Sequence, residues 1–251
     1  RSGGDGHPRH PPVNVLVTGS SRGIGRRLAL AFGRAGHSVV VHYRARRGEA
    51  EAVLGELQAA GVRSDAAAAD LADPLQCREL IDGVIARWGR LDVLVNNAGA
   101  TKDRALLNMT PEEWRAVVDV NLSGAFYCLQ AAAKHMVREK SGAVINVGSI
   151  VGVRGGVGCA NYAAAKAGLL GLTKAAAKEL GRFNVRVNAV LPGFHPTEMS
   201  DSLPAAVKDK VVAAHALGRP TDLADLEKLV VLLAELPSVS GQIFNVDSRL
   251  L

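Results

Sequence analysis

From Val13 onward the chain repeats one pattern: a short uninterrupted apolar run, a polar turn, then a longer stretch in which apolar residues return every three or four positions. The runs are VNVLVTG (13–19), HSVVVHY (37–43), LDVLVNNAG (91–99), GAVINVGS (142–149), VRVNAVLPG (185–193) and GQIFNV (241–246), with a weaker alanine-rich run at 64–71. Strands apolar on both faces belong inside a sheet that helices cover on each side, and strands separated by helices pair in parallel. The pattern predicts an α/β fold, a doubly wound parallel sheet of about seven strands with helices on both faces. No linker divides it, so residues 13–251 read as one domain. The first twelve residues, RSGGDGHPRHPP, read as a disordered tail or expression remnant, with a basic targeting segment as the alternative. Ligands of such sheets bind in the crevice at the carboxyl ends of the strands, and the polar motifs of this chain stand at those ends.

Composition narrows the picture in three ways. The chain has 251 residues, 48% of them hydrophobic, enough to bury a core, but no apolar run reaches the roughly 20 residues of a membrane span. Cys77, Cys128 and Cys159 are odd in number and lie far from any CxxC or histidine pattern, so neither a disulfide framework nor a metal site is indicated. Reduced thiols fit a cytoplasmic location. The formal charge of +6 comes from basic residues scattered along the chain, and aromatics make up only 4%, so nucleic-acid binding is not expected. An acidic partner or a phosphorylated ligand accounts for the charge.

The first run leads into TGSSRGIGRRLALAF, with Gly19, Gly23 and Gly25 in the turn and the start of a helix. Glycines there let the backbone approach a pyrophosphate, and the helix N-terminus offers unpaired N–H groups. The spacing is G-x3-G-x-G rather than the commonest dinucleotide fingerprint, G-x-G-x-x-G. At the end of the second run, where an NAD site places an acid for the ribose, Tyr43 stands instead, followed by Arg44, Arg46 and Arg47. Arginine complements a 2′-phosphate, and Arg22 in the glycine turn can reach the same group, so the motif favours NADP(H). An exposed basic turn is the plainer alternative.

The segment ANYAAAKAG (160–168) places Tyr162 and Lys166 one helical turn apart on one face. Bringing a phenol from about 10 toward 7 takes about 4 kcal/mol, which a neighbouring ammonium in a dry site can largely supply. The pair is a candidate general acid, or else two surface residues on an alanine-rich helix.

Taken together, TGSSRGIG, NNAG (96–99), Asn121 in DVNLSGAF, Ser149 in INVGSIVG, YAAAK (162–166) and PG (192–193) resemble the short-chain dehydrogenase/reductase family over roughly residues 13–247. The resemblance implies a Rossmann-type fold and four catalytic residues. Tyr162 matches the acid, Lys166 the residue that lowers its pKa and binds the nicotinamide ribose, Ser149 the hydroxyl that polarises the carbonyl, and Asn121 the holder of a relay water. It also implies a cofactor site for NADP(H). Gly19, Ser21, Arg22, Gly23, Ile24 and Gly25 would border the phosphates, and Tyr43 and Arg44 the 2′-phosphate. Asp70 and Leu71 would lie beside the adenine, although Asp70 reads equally as a helix cap. Asn97, Ala98 and Gly99 follow the supporting Asn96, and Pro192, Gly193 and Thr197 would close the nicotinamide end.

Within the family the closest likeness is to 3-oxoacyl-[acyl-carrier-protein] reductases, which implies NADPH-dependent reduction of a 3-oxoacyl thioester carried by acyl carrier protein or CoA in fatty-acid synthesis. A secondary-alcohol, sugar, steroid or quinone-type carbonyl reductase would keep the same four residues, and a non-catalytic cofactor-binding protein would not need them. The resemblance also suggests a homotetramer built partly on the helix from Tyr162 to Gly181, apolar on more than one side. For an acidic carrier protein, Lys140, Arg182 and Arg154 are the expected basic rim. Two segments depart from the family's pattern: FHPTEM after Gly193, with His195 read as a loop residue, and NVDSRLL at the C-terminus, where Gly-Gly usually follows the aspartate. Cys159 reads as a packing residue.

Overall fold

The computed structural model describes residues 11–195 and 205–249, with the side chains of 205–208 excepted. Seven parallel strands form one sheet in the order β3-β2-β1-β4-β5-β6-β7. They are β1 (Asn14–Val17), β2 (Ser38–Tyr43), β3 (Ser64–Ala68), β4 (Val93–Asn96), β5 (Gly142–Val147), β6 (Val185–Leu191) and β7 (Ile243–Asn245). Each lies within a run predicted from the sequence.

Successive strand residues point to opposite faces, which splits the core in two. Leu16, Val40, Leu94, Val144 and Val187 pack beneath α3 (Pro74–Trp88) and α5 (Gly124–Glu139). Val15, Val39, Val41, Val93 and Ile145 pack with Leu28 and Phe32 of α1 (Gly23–Arg34), Val53 of α2 (Arg47–Ala59) and Leu226 of α9 (Leu223–Glu235). Because both faces are covered, the strands read as continuous apolar runs rather than as alternations. Arg27 and Arg34 both grip the nearly buried carboxylate of Glu227, joining α1 to α9.

The remaining helices are α4 (Pro111–Val118), α6 (Val151–Arg154), α7 (Ala160–Leu180) and α8 (Ala205–Ala213). Local signals set several starts: Asp73 caps α3 ahead of Pro74, a Thr110–Glu113 capping box opens α4, and Asp222 caps α9. The helix α1 is different, since Arg22 precedes it with no side-chain cap. The chain crosses from β3 back to β4, beside β1, so the sheet reverses direction between β1 and β4. The carboxyl ends of these strands therefore border the crevice where such folds bind ligands.

Candidate active site

The glycine turn after β1 is fixed by buried neutral hydrogen bonds. Thr18 Oγ1 accepts from the backbone N–H of Asn97 at 3.0 Å and of Ala98 at 3.1 Å, and it donates to Val95 O. The Asn97 amide donates to the carbonyls of Thr18 and Gly19 at 2.9 and 3.2 Å, tying β4 to the turn. Gly19 N–H donates to His42 Nδ1 at 2.8 Å, and His42 Nε2 donates to Ala69 O at 3.1 Å, a pattern that requires the neutral Nε2–H tautomer. Burial lowers the His42 pKa to about 4, outweighing the Ala69 hydrogen bond and the nearby Asp70 charge. Ser20 Oγ donates to Val17 O and accepts from His42 N–H. Thr18, Ser20 and His42 were missed in the sequence; the signal for His42 was a histidine closing a fully buried strand.

This scaffold leaves the turn shaped for close backbone approach. Gly19 and Gly23 have φ of 62° and 56°. A Cβ on Gly25 would lie 2.3 Å from Gly19 O and 2.4 Å from Asn97 Nδ2, whereas one on Gly23 would meet nothing within 4 Å. The uncapped first turn of α1, with Ile24 half-buried, turns its N–H groups toward that open side. Ser21 and Tyr43 are half-buried at the rim, and Arg22 and Arg44 are exposed there. Of the other arginines expected there, Arg46 holds Glu49 at 2.6 Å and Arg47 holds Glu51 at 2.7 Å, so α2 takes up their charge. Asp70 does not cap α3, a role that falls to Asp73; its Oδ1 accepts from Ala72 N–H, and Leu71 beside it is buried.

Farther along the same edge, the helix carrying Asn121 widens into a single π turn at Asp119–Ser123. The Asn121 amide donates to Val117 O and to Ala100 O, both at 2.8 Å. It thereby takes up the carbonyl that a regular helix would satisfy with a backbone N–H. Asn121 Oδ1 is buried without a hydrogen bond among the described residues, and a Cβ on Gly99 would stand 2.8 Å from it. Asn96 lies below, bonded to Asn146 of β5, which in turn bonds Thr173 of α7.

The start of α7 is anchored by Asn161, whose Oδ1 accepts from Tyr162 N–H at 2.8 Å and whose amide donates to Lys102 O and Glu113 O. That anchor points the Tyr162 phenol at Ser149, to which it hydrogen-bonds. Lys166 Nζ is buried and donates to Val147 O at 2.7 Å, just below Ser149. Gly152 lets α6 lie against α7, since a Cβ there would sit 2.7 Å from the Lys166 carbonyl carbon. The four expected catalytic residues thus gather at one sheet edge.

Their electrostatics differ from the expectation. The Lys166 ammonium is 5.7 Å from the Tyr162 ring centroid and is turned to Val147 O. Burial raises the Tyr162 phenol above its ordinary value, against the Ser149 hydrogen bond, and burial alone lowers Lys166 to about 8. The phenol stays protonated rather than being drawn toward neutrality, because desolvation outweighs a cation held one turn away.

Pro192 is buried after β6, and Gly193 follows at φ 89°. His195 is buried and bonds Pro192 O through Nε2 at 2.5 Å, so it braces this turn. Thr197 and the rest of the expected lid up to 204 lie outside the described residues. Cys159 is a half-buried free thiol at the start of α7. Lys140 and Arg182 do not rim the mouth. Each precedes its strand, Lys140 before β5 and Arg182 before β6, and parallel strands place such residues at the amino edge, opposite Ser149. Arg154, which ends α6, remains exposed on the site's own side. Among the described residues no group of histidine, cysteine or carboxylate side chains has the makings of a metal site.

A sheet of this topology with a glycine turn and a Ser149–Tyr162–Lys166 cluster at its carboxyl edge defines a nucleotide-dependent oxidoreductase scaffold. The family model for short chain dehydrogenase matches residues 13–208, and the chain belongs to that family. It is 44% identical over 236 residues to the 3-oxoacyl-[acyl-carrier-protein] reductase FabG of Staphylococcus aureus (strain Mu50 / ATCC 700699), covering 93% of this chain and 96% of that one. It is 43% identical over 233 residues to the 3-oxoacyl-[acyl-carrier-protein] reductase of Synechocystis sp., covering 93% of this chain and 94% of the relative. Among solved structures, a gluconate 5-dehydrogenase from Burkholderia cenocepacia J2315, in complex with NADP and tartrate, superposes with a TM-score of 0.89 at 33% identity, over 94% of each chain.

Proposed function

We propose that this protein is an NADP(H)-dependent 3-oxoacyl-thioester reductase, reducing the ketone of an acyl group carried by acyl carrier protein or CoA. The observation that carries this reading is the hydrogen-bonded Ser149–Tyr162 pair with Lys166 beneath it, at the same sheet edge as an uncapped helix N-terminus behind a glycine turn. The relatives' names supply the substrate class.

The residues fit the cofactor. The open side of Gly23 and the unpaired first turn of α1 suit a pyrophosphate, and exposed Arg22 and Arg44 suit a 2′-phosphate. Bound NADPH would supply the hydride. Ser149 Oγ holds the substrate carbonyl oxygen, and the Tyr162 phenol, kept neutral by burial, gives that oxygen its proton. Lys166 is charged below about pH 8 and stabilises the phenolate left behind. The unpartnered Asn121 Oδ1 offers a site for a water that returns the proton.

Exposed Leu107, Trp114 and Phe126 around α4 and α5 support a homotetramer, which light scattering at micromolar concentration tests. An acidic acyl carrier protein would meet Arg154 at the mouth. No helix of the described residues is long and apolar enough to cross a membrane, and a cytoplasmic enzyme is part of the same reading. The central experiment follows NADPH oxidation over acetoacetyl thioesters, quinones and cyclic ketones. The thioesters are expected to be fastest, NADPH is expected to be preferred over NADH about tenfold, and Tyr162→Phe to lower kcat by about three orders of magnitude with NADPH still bound. Near-normal turnover in that variant would overturn the proposal.

A further inference from the structure

The two segments that depart from the family's pattern meet in one buried cluster. Asp247, after β7, has a side chain with 0% exposure. Its Oδ1 lies 2.9 Å from Nε2 of His215, also fully buried, off the line of an aligned hydrogen bond. Its Oδ2 accepts from Arg249 Nε at 2.6 Å and pairs again with Arg249 Nη2. His215 Nδ1 lies 2.7 Å from Val211 O, which ties the cluster to the last turn of α8. The turn closes on itself as well: Arg249 N–H donates to Asp247 Oδ1, and Asn245 donates to Arg249 O. Ser248 O accepts from Ala216 N–H, and Val246 N–H donates to Leu191 O at the end of β6.

This knot stands directly behind the Gly193 turn. A Cβ on Gly193 would lie 2.3 Å from Thr221 Oγ1 and 3.4 Å from the Asp247 Cβ, so the turn has no room to retreat. His195 braces its other side through Pro192 O and the backbone of Thr221. We propose that Asp247, locked by Arg249 and His215, is a positioning residue that holds the Pro192–Gly193 turn in place for the nicotinamide half of the cofactor. Its carboxylate touches no reacting atom. It acts by presenting a rigid back wall, and the Arg249 guanidinium keeps that buried charge paired. The inference rests on the cofactor reading above.

The test compares two probes on the full-length protein: NADPH, which spans the whole site, and 2′,5′-ADP, which has no nicotinamide half. Arg249→Met and Asp247→Asn are expected to weaken NADPH about tenfold while 2′,5′-ADP binding stays within about twofold, and Arg249→Lys to recover most of the loss. Arg249 is partly exposed and is the variant least exposed to misfolding. Equal weakening of both probes would show general damage and overturn the positioning role, as would unchanged NADPH affinity in both variants. Wild-type protein that binds neither nucleotide would overturn the cofactor reading and this inference with it, whereas wild-type binding of both with no variant effect removes this inference alone.

Discussion

Two glycine turns border the crevice from opposite halves of the sheet, Gly19 after β1 and Gly193 after β6, both in the left-handed region and both pressed against neighbours. Different chemistry holds them. Gly19 is braced by Thr18, Ser20, Asn97 and His42, all neutral, with every bond made between elements of the sheet itself. Gly193 is braced by Asp247, itself held by Arg249 and His215, from segments distant in sequence. A neutral network keeps its geometry as long as its histidine stays uncharged. A charged one keeps it as long as its carboxylate stays ionised. The two turns should therefore fail under different conditions.

The largest effect is expected at the first turn. Gly25→Ala places a methyl 2.3 Å from Gly19 O, against backbone that cannot move without breaking the Asn97 bonds. NADPH affinity should fall about a thousandfold, or about 4 kcal/mol, by titration. A loss under about tenfold would mean that the turn is more pliable than its hydrogen bonds require.

Acid should separate the networks next. His42 has its folded pKa lowered to about 4 from 6.5, so the unfolded chain binds the proton first as pH falls. The contribution is fully present above about pH 6.5 and is lost as pH falls to about 4, which amounts to about 3 kcal/mol. Asp247 is also lowered: burial alone would raise it, but its bonds and charge contact with Arg249 win, so its contribution goes only below the ordinary carboxylate value of 3.8. Denaturant unfolding between pH 7 and 4 should show a slope in the wild type that His42→Gln flattens. Identical slopes in the two proteins would show that His42 does not titrate with folding.

The smallest of the three effects is expected at the second turn. In Gly193→Ala the new methyl meets the Thr221 hydroxyl, a side-chain atom that can yield, and the chief remaining cost is the left-handed φ of 89°. Stability should drop by about 2 kcal/mol. A loss as large as that of Gly25→Ala in cofactor affinity would erase the contrast between a turn walled by backbone and one walled by side chains.

Much of the fold was legible in the residues because a covered parallel sheet imposes long apolar runs: all seven strands fall within the predicted runs, including the alanine-rich β3. The local spacing of Tyr162 and Lys166, and the glycines before α1, were likewise readable, since turns and helical neighbours obey short-range rules. What the chain order could not convey was direction and depth. Lys140 and Arg182 sit next to the right strand and helix in sequence, yet parallel pairing sends them to the opposite edge from Ser149. Lys166 is one turn from Tyr162, yet the Val147 carbonyl claims its ammonium and burial, a property of the whole packed core, sets both pKa values. His42, Asp247, His215 and Arg249 carry no motif at all. Their partners lie 23 to 32 positions away or act through a shared wall at Gly193, and only the closing of the sheet brings them together. Periodicity encodes which face of an element is buried, whereas the identity of the groups that meet across that face is decided by long-range packing.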